Sequence, residues 1–381
     1  MLRKILTFFQ KETVLSISAI LAILSMFIVH PSGKYFSYID FRTLSLLFCL
    51  MSIVAGLSEI GLFDYLAEKI LSRANSIKSI IVLLVLLCFF FSMIITNDVA
   101  LITFVPFAII ILKKMSEKQK NYWILRTVVM QTIAANLGSM LTPIGNPQNL
   151  YLYARANMSA LALIRLMLPY SIAALVLLLV WIQVAAHREP VSTTENHISE
   201  LFSIHKAKAP NQTSLIGYLI LFLICLLVVA HIIDYRISFI LVIGYIFFKN
   251  WHLFKKVDYS LLLTFTALFI FIGNLKCIPQ FNHFLISIID GHETLTAILS
   301  SQIISNVPAA ILLSGFTKNY SALIIGTNIG GLGTLIASMA SLISFKYIAK
   351  EKTTLRGKYF MMFTIANIVF LILLLLCINL L

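Results

Sequence analysis

Long apolar runs separated by short polar breaks organise the chain. The runs fall at roughly 13–30, 43–62, 78–95, 99–112, 124–154, 164–185, 214–233, 237–248, 259–275, 294–316, 320–345 and 359–380. Runs of about 18–20 apolar residues are the length of a helix that crosses a bilayer. Three places break this pattern inside apolar surroundings. The polar triplet Thr96-Asn97-Asp98 sits between "SIIVLLVLLCFFFSMII" and "VALITFVPFAIIIL". "TPIGNPQN" (Thr142–Asn149) interrupts 124–154 with two prolines and a glycine, and "GGLGT" (Gly330–Thr334) interrupts 320–345. The pattern predicts hairpins at 78–95/99–112 and at 294–316, and two broken helices; the alternative is that 78–95 and 99–112 are two ordinary helices.

A polar stretch, 187–212, divides the chain near its middle, and the two sides match in order. "NLGSMLTPIGNPQNL" (136–150) aligns with "NIGGLGTLIASMASL" (328–342) with five of 15 positions identical. "TNDVALI" (96–102) pairs with "SNVPAAI" (305–311), and "DFRTLSLLF" (40–48) with "DYSLLLTFT" (258–266). Glu59 and Lys276 fall near equivalent helix ends and read as snorkelling side chains. The domain reading is a first repeat over 1–186, a cytoplasmic linker over 187–212, and an extra helix plus a second repeat over 213–381.

Composition and charge sharpen this picture. Of 381 residues, 60% are hydrophobic and 12% charged, and the mean hydropathy is +0.97. Such a chain is a polytopic membrane protein rather than a soluble domain. The net charge of +14 comes from lysine and arginine in loops, as the positive-inside bias requires. Basic residues crowd the loop after the first triplet (Lys113, Lys114, Lys118, Lys120, Arg126), whereas its counterpart after Ser305 has only Lys318. The loops after the two broken helices show the reverse bias. The repeats therefore read as inverted. The fold class is all-α and polytopic, with two inverted repeats, each holding a re-entrant hairpin and a broken transmembrane helix. The N-terminus and Lys113–Lys120 are expected in the cytoplasm, and Thr317–Ser321 outside. Trp123, Trp181 and Trp251 read as interfacial anchors. Inner (plasma) membrane is the expected location, with membrane lipid as the surrounding partner.

Several chemistries find no motif. The five cysteines are scattered, without CxxC or zinc spacing. No HExxH, Walker A or GxSxG stands out, and no aromatic-basic module suggests nucleic acid. Neither enzymatic activity nor a resident cofactor is expected. Irregular backbone at membrane depth is tolerated where it is buried or lines a wet cavity. Breaks at matching places in inverted halves point to a central binding site. A carboxylate there needs a cation or a proton, which marks Asp98. The candidate site is Thr96, Asn97, Asp98, Thr142, Gly145, Asn146, Asn149, Ser305, Asn306, Gly330 and Thr334. Asn97, Asp98 and Asn306 form a candidate sodium site. Pairing of the triplets predicts that both tips meet centrally, with Asp98 near Asn306 and the breaks around Thr142 and Thr334. Pro143, Pro147 and Pro308 read as residues that shape backbone.

"TNDVALITFVP", "NLGSMLTPIGNPQNL", "SNVPAAILL" and "NIGGLGT" together resemble the ion transporter superfamily over nearly the whole chain. That group holds citrate and dicarboxylate transporters, arsenite permeases and certain sodium/proton antiporters. The Asn-Asp-x-Ala-Leu-Ile pattern is most similar to the arsenite-permease branch, and Thr-Pro-Ile-Gly-x-Pro-x-Asn to the first break of dicarboxylate carriers. The resemblance implies an inverted-repeat carrier, often a homodimer, whose first tip matches Thr96-Asn97 and second tip Ser305-Asn306. Its first break matches Thr142, Gly145 and Asn149. The chain departs from carboxylate carriers at Asp98, where they have a small polar residue. It departs again at the second break, "TLIASMAS", where they have Thr-Pro-Pro-Asn. The expected function is secondary active transport of a small anion or oxyanion, coupled to sodium or protons. The alternatives are a sodium/proton antiporter, a passive channel and a non-transporting scaffold.

Overall fold

Apolar runs of this length leave the backbone no water to bond with, so each run closes its own hydrogen bonds as a helix. The computed structural model describes residues 12–189, 209–351 and 353–378. Most of the expected linker, and the segment before residue 12, lie outside the described residues.

The first half contains α1 (Thr13–Ile28), α2 (Phe41–Glu59), α3 (Leu62–Leu71), α4 (Ile77–Ile95), α5 (Asn97–Lys113), α6 (Glu117–Gly138), α7 (Pro147–Ala156) and α8 (Ala160–His187). The second contains α9 (Gln212–Val229), α10 (Tyr235–Asn250), α11 (Tyr259–Lys276), α12 (Pro279–Ile289), α13 (Glu293–Ile304) and α14 (Asn306–Leu313). It ends with α15 (Tyr320–Ile329), α16 (Met339–Glu351) and α17 (Arg356–Ile378). Short 3₁₀ turns extend α6 to Leu141 and α10 to Lys256. Among the described residues, eight helices are long and apolar enough to cross a membrane: α2, α4, α6, α8, α9, α10, α11 and α17. The protein is an all-α polytopic membrane protein.

Two elements escaped the apolar pattern. α3 and α12 are amphipathic, and each follows a long helix, α2 and α11, whose N-cap is an aspartate. Asp40 accepts from the Thr43 amide at 3.0 Å, and Asp258 from the Leu261 amide at 3.0 Å, satisfying orphan donors at the helix start. α3 buries Phe63, Ala67 and Leu71 along one face, while α12 leaves Phe284 exposed. The run 237–248 is longer than it read, because polar residues at its ends continue the helix. Trp123 is fully buried rather than interfacial, stacking edge-on against Tyr122. Trp181 packs on Phe370, and Trp251 is exposed.

Helix ends sort into two groups. At one end, the Ser260 hydroxyl donates to Glu12 at 2.5 Å, Lys256 pairs with Glu59 at 2.7 Å, and Lys113 pairs with Glu351. Exposed pairs like these contribute little stability, but they fix which ends lie together. At the other end, the Asn274 amide donates to the Tyr35 hydroxyl at 2.9 Å. There Arg155, Lys276, Thr317 and Lys318 line one cavity.

Close helix approach rests on two matched glycines. A Cβ on Gly138 would lie 2.0 Å from the Phe89 carbonyl oxygen and 2.7 Å from the Ser92 hydroxyl. A Cβ on Gly330 would lie 2.9 Å from the Ile298 Cα and 3.0 Å from the Ser301 Cβ. Phe89 and Ser92 stand as far before the first polar triplet as Ile298 and Ser301 stand before the second. The same small-residue contact therefore joins α4 to α6 and α13 to α15. Overfilling such a contact costs about 1–3 kcal/mol. Gly138→Ala and Gly330→Ala are each expected to lower the melting temperature of the purified protein in detergent. Gly244→Ala, with open space around it, should leave it unchanged or raise it. Equal melting of all three would show that the close contacts are not required.

Candidate functional site

The site is assembled from two hairpin tips and two helix breaks. Each hairpin turns on a single residue, Thr96 between α4 and α5 and Ser305 between α13 and α14. Both residues have φ 74° and ψ 154°. Side chains rarely adopt positive φ, so each tip is held by its surroundings. The Asn97 amide donates to the Gly145 carbonyl at 3.2 Å, and the Asn306 amide donates to the Ala337 carbonyl at 2.9 Å. The Thr142 hydroxyl donates to the Met93 carbonyl at 2.5 Å, and the Thr334 hydroxyl to the Gln302 carbonyl at 3.2 Å. In both halves the accepting carbonyl lies three residues before the tip. Gly145 has no room for a side chain, since a Cβ would stand 2.1 Å from the Ser139 carbonyl oxygen.

The breaks are then joined across the two halves of the chain. Asn136, near the end of α6, accepts from Ser338 of the second break at 3.0 Å and donates to Ser341 at 3.4 Å. Asn328, near the end of α15, donates to Asn149 at 2.6 Å and accepts from Asn146 of the first break at 3.5 Å. Ser338 and Ser341 match Asn146 and Asn149 in the aligned breaks. Each helix end therefore reaches into the other half's break by the same route. Asn97 donates to Asn136 at 3.0 Å and so ties the first tip into this clasp. The second tip meets it through Ala337, the neighbour of Ser338. All these asparagines are buried, and a buried amide left unpaired would cost about 1–3 kcal/mol.

A cavity of about 240 Å³ opens beside the first tip. Its polar wall includes Thr96, Asp98, Asn146, Asp258 and Lys256, and its apolar wall includes Leu50 and Val54 of α2. Asp98 projects its carboxylate there. Its backbone amide donates to the Asn97 side chain at 2.9 Å. Among the described residues, no hydrogen bond or ion pair reaches that carboxylate. The Asn146 side-chain oxygen is buried and also unbonded. Lys256 is held by Glu59 at the cavity mouth.

The candidate residues take separate places. Thr96, Asp98 and Asn146 share the cavity. Asn97 is spent on the clasp, with both ends of its amide bonded. Asn149 donates to the Ser139, Met140 and Thr142 carbonyls and accepts from Asn328, which closes the first break. Ser305 and Asn306 are buried at the second tip and do not line this cavity. Gly330 is a packing glycine, and Thr334 is exposed beside α13. Pro147 starts α7, where its missing N–H costs nothing. Asn136, Asn328 and Asp258 carry the geometry without having been expected to. Their signal was present, since Asn136/Asn328 and Asp40/Asp258 anchor the internal alignment. Gln148 gave no such signal. It is buried at the start of α7, and among the described residues neither of its amide atoms is bonded.

A family model described as "Citrate transporter" matches residues 5–319. The chain is 34% identical over 332 residues to an uncharacterized transporter of Methanocaldococcus jannaschii, covering 87% of each chain. It is 31% identical over 332 residues to the inner membrane protein YbiR of Escherichia coli, covering 85% of this chain and 84% of that one. A shorter stretch of 128 residues, 33% of the chain, is 30% identical to the P protein of Homo sapiens, of which it covers 15%. Paired hairpin tips, joined breaks and a nearly full-length match lead to one conclusion: this chain is a membrane transporter that belongs to the citrate transporter family.

Proposed function

We propose that the chain is a secondary active transporter of a small anion or oxyanion, coupled to sodium or protons, working by alternating access between two inverted repeats. One observation carries this reading. Two equivalent tips are fastened to two equivalent breaks, and the first tip lines a cavity that Ser305 and Asn306 of the second do not line. Ser305 is 0% exposed and Asn306 5%, so the second tip is packed within the protein. A site that is reached at one tip is what a carrier presents in a one-sided state. The identical tip dihedrals, the matched ties and the opposite loop charges support the inversion. The E. coli relative's printed name supports an inner-membrane location, and the basic loops support a cytoplasmic N-terminus.

In this reading, the coupling ion sits with Asp98. The Asp98 carboxylate, the free Asn146 oxygen and the Thr96 hydroxyl supply oxygen donors of the kind that suit a small cation. A proton on Asp98 would neutralise the same charge. Either one offsets the cost of holding a carboxylate at membrane depth. Neutralised, the tip could accept an anion that it would otherwise repel. The second repeat has Val307 at the position of Asp98, so the coupling site is single. A sodium/proton antiporter remains the second reading. It is favoured by Asp258, a second carboxylate on the same cavity wall.

Asp98→Asn keeps the side chain's shape without its charge. It should leave expression and melting temperature near wild type and reduce gradient-driven accumulation in liposomes to the level of protein-free vesicles. The substrates to supply are citrate, sulfate, phosphate and arsenite, under separate sodium and proton gradients. Wild-type accumulation with unchanged ion dependence would reduce Asp98 to a helix-start residue. Proton release on sodium addition, without anion uptake, would favour the antiporter.

Sidedness is checked separately. In a background lacking the native cysteines, Lys118→Cys should react with a membrane-impermeant maleimide only from the cytoplasmic side. Lys318→Cys should react only from outside. Labelling of both from one side would overturn the inverted topology.

A further inference from the structure

At the other end of α2 and α11 from the Asp98 cavity lies a second cavity of about 270 Å³. Its wall includes Arg155, Lys276, Asp40, Tyr38 and Cys277. It adjoins a wider vestibule of about 510 Å³ that shares Arg155, Lys276 and Gly315 and adds Lys318 and Asp290. Arg155 lies in the last turn of α7 and Lys276 in the last turn of α11. A helix C-terminus favours one cation, which accounts for each residue singly. It does not account for two helices delivering their cations to one cavity.

The acids nearby do not neutralise this pair. Both Asp40 oxygens are engaged at the start of α2, one by the Thr43 amide at 3.0 Å and the other by the Thr43 hydroxyl at 2.7 Å. Asp290 lines only the vestibule. Among the described residues, Arg155, Lys276 and Lys318 form no ion pair. Like charges that converge on a cavity without counterions mark a place for an anion, and a guanidinium beside an ammonium suits a planar or tetrahedral oxyanion.

We propose that Arg155 and Lys276 form an anion-recruiting site that takes a small multivalent carboxylate or oxyanion on the face opposite the Asp98 cavity. The proposal rests on the anion-carrier reading. It adds the side from which the anion is gathered and the residues that gather it. Lys318, at the vestibule rim, raises the local anion concentration by its charge.

Cys277 makes the site testable in the unmodified protein. It is exposed and lines the cavity, whereas Cys49, Cys88 and Cys225 are buried. Citrate or sulfate, compared with chloride at fixed ionic strength, should slow alkylation of Cys277 by a neutral maleimide several-fold and in a saturable way. Cys377, which does not line the cavity, is the internal control. Arg155→Gln and Lys276→Gln should each weaken that protection about tenfold, as expected for loss of a charge-assisted contact. Lys276→Arg should retain it. Asp98→Asn should also retain it, so failure of the coupling reading and failure of this site are distinguishable. Equal alkylation rates in citrate, sulfate and chloride would overturn the proposal. So would undiminished protection in both glutamine variants.

Discussion

The reciprocal hydrogen bonding of Asn136 and Asn328 is the constraint on which the rest depends. Two helices, α6 and α15, stop inside the protein, and each leaves carbonyls and amides that lipid cannot satisfy. An asparagine near each stop reaches into the other half of the chain, giving and accepting one bond there. Asparagine suits this place because its short amide carries donor and acceptor together. Removing one partner would orphan groups in both halves. Each break is therefore completed by the other.

From that clasp the tips follow. Asn97 is drawn to Asn136, and this turns the next residue, Asp98, away from the buried cluster and into the cavity. The threonines of the two breaks hold the last turns of α4 and α13. Glycines at 138 and 330 let the helices come close enough for those bonds to form. Polar contacts here set register, and apolar packing supplies the mass of contact around them. The asymmetry between Asp98 and Val307 then arises on nearly symmetric scaffolding. On the proposed reading, that difference lets one tip answer to a cation while the other only moves with it.

Charge is distributed along the same axis. The Asp98 cavity carries two acids and a lysine already paired with Glu59. The opposite cavity carries two unpaired cations and an aspartate held by its own helix. A carrier that joins a cation to an anion gains from such a division, because each ion meets a favourable field on approach.

The spans were set by the sequence alone, because apolar length and the need to satisfy backbone groups leave no other regular structure at membrane depth. Prolines and glycines set where helices stop, and the lysines divided the loops into two sets before any contact was known. α3 and α12 escaped because only apolar length was read, although the spacing of Phe63, Ala67 and Leu71 carries a helical face. Tertiary structure alone decided which polar residues are consumed by the fold and which stay free. Asn97 and Asp98 are neighbours in the chain, yet one is bonded at both ends and the other faces a cavity. Thr142 and Thr334 align, yet Thr334 is exposed. Arg155 and Lys276 lie far apart in sequence and meet at one wall. The reason is geometric. One residue along a helix turns a side chain through about 100°, and the partners that decide its fate come from segments distant in sequence, whose placement no local pattern encodes.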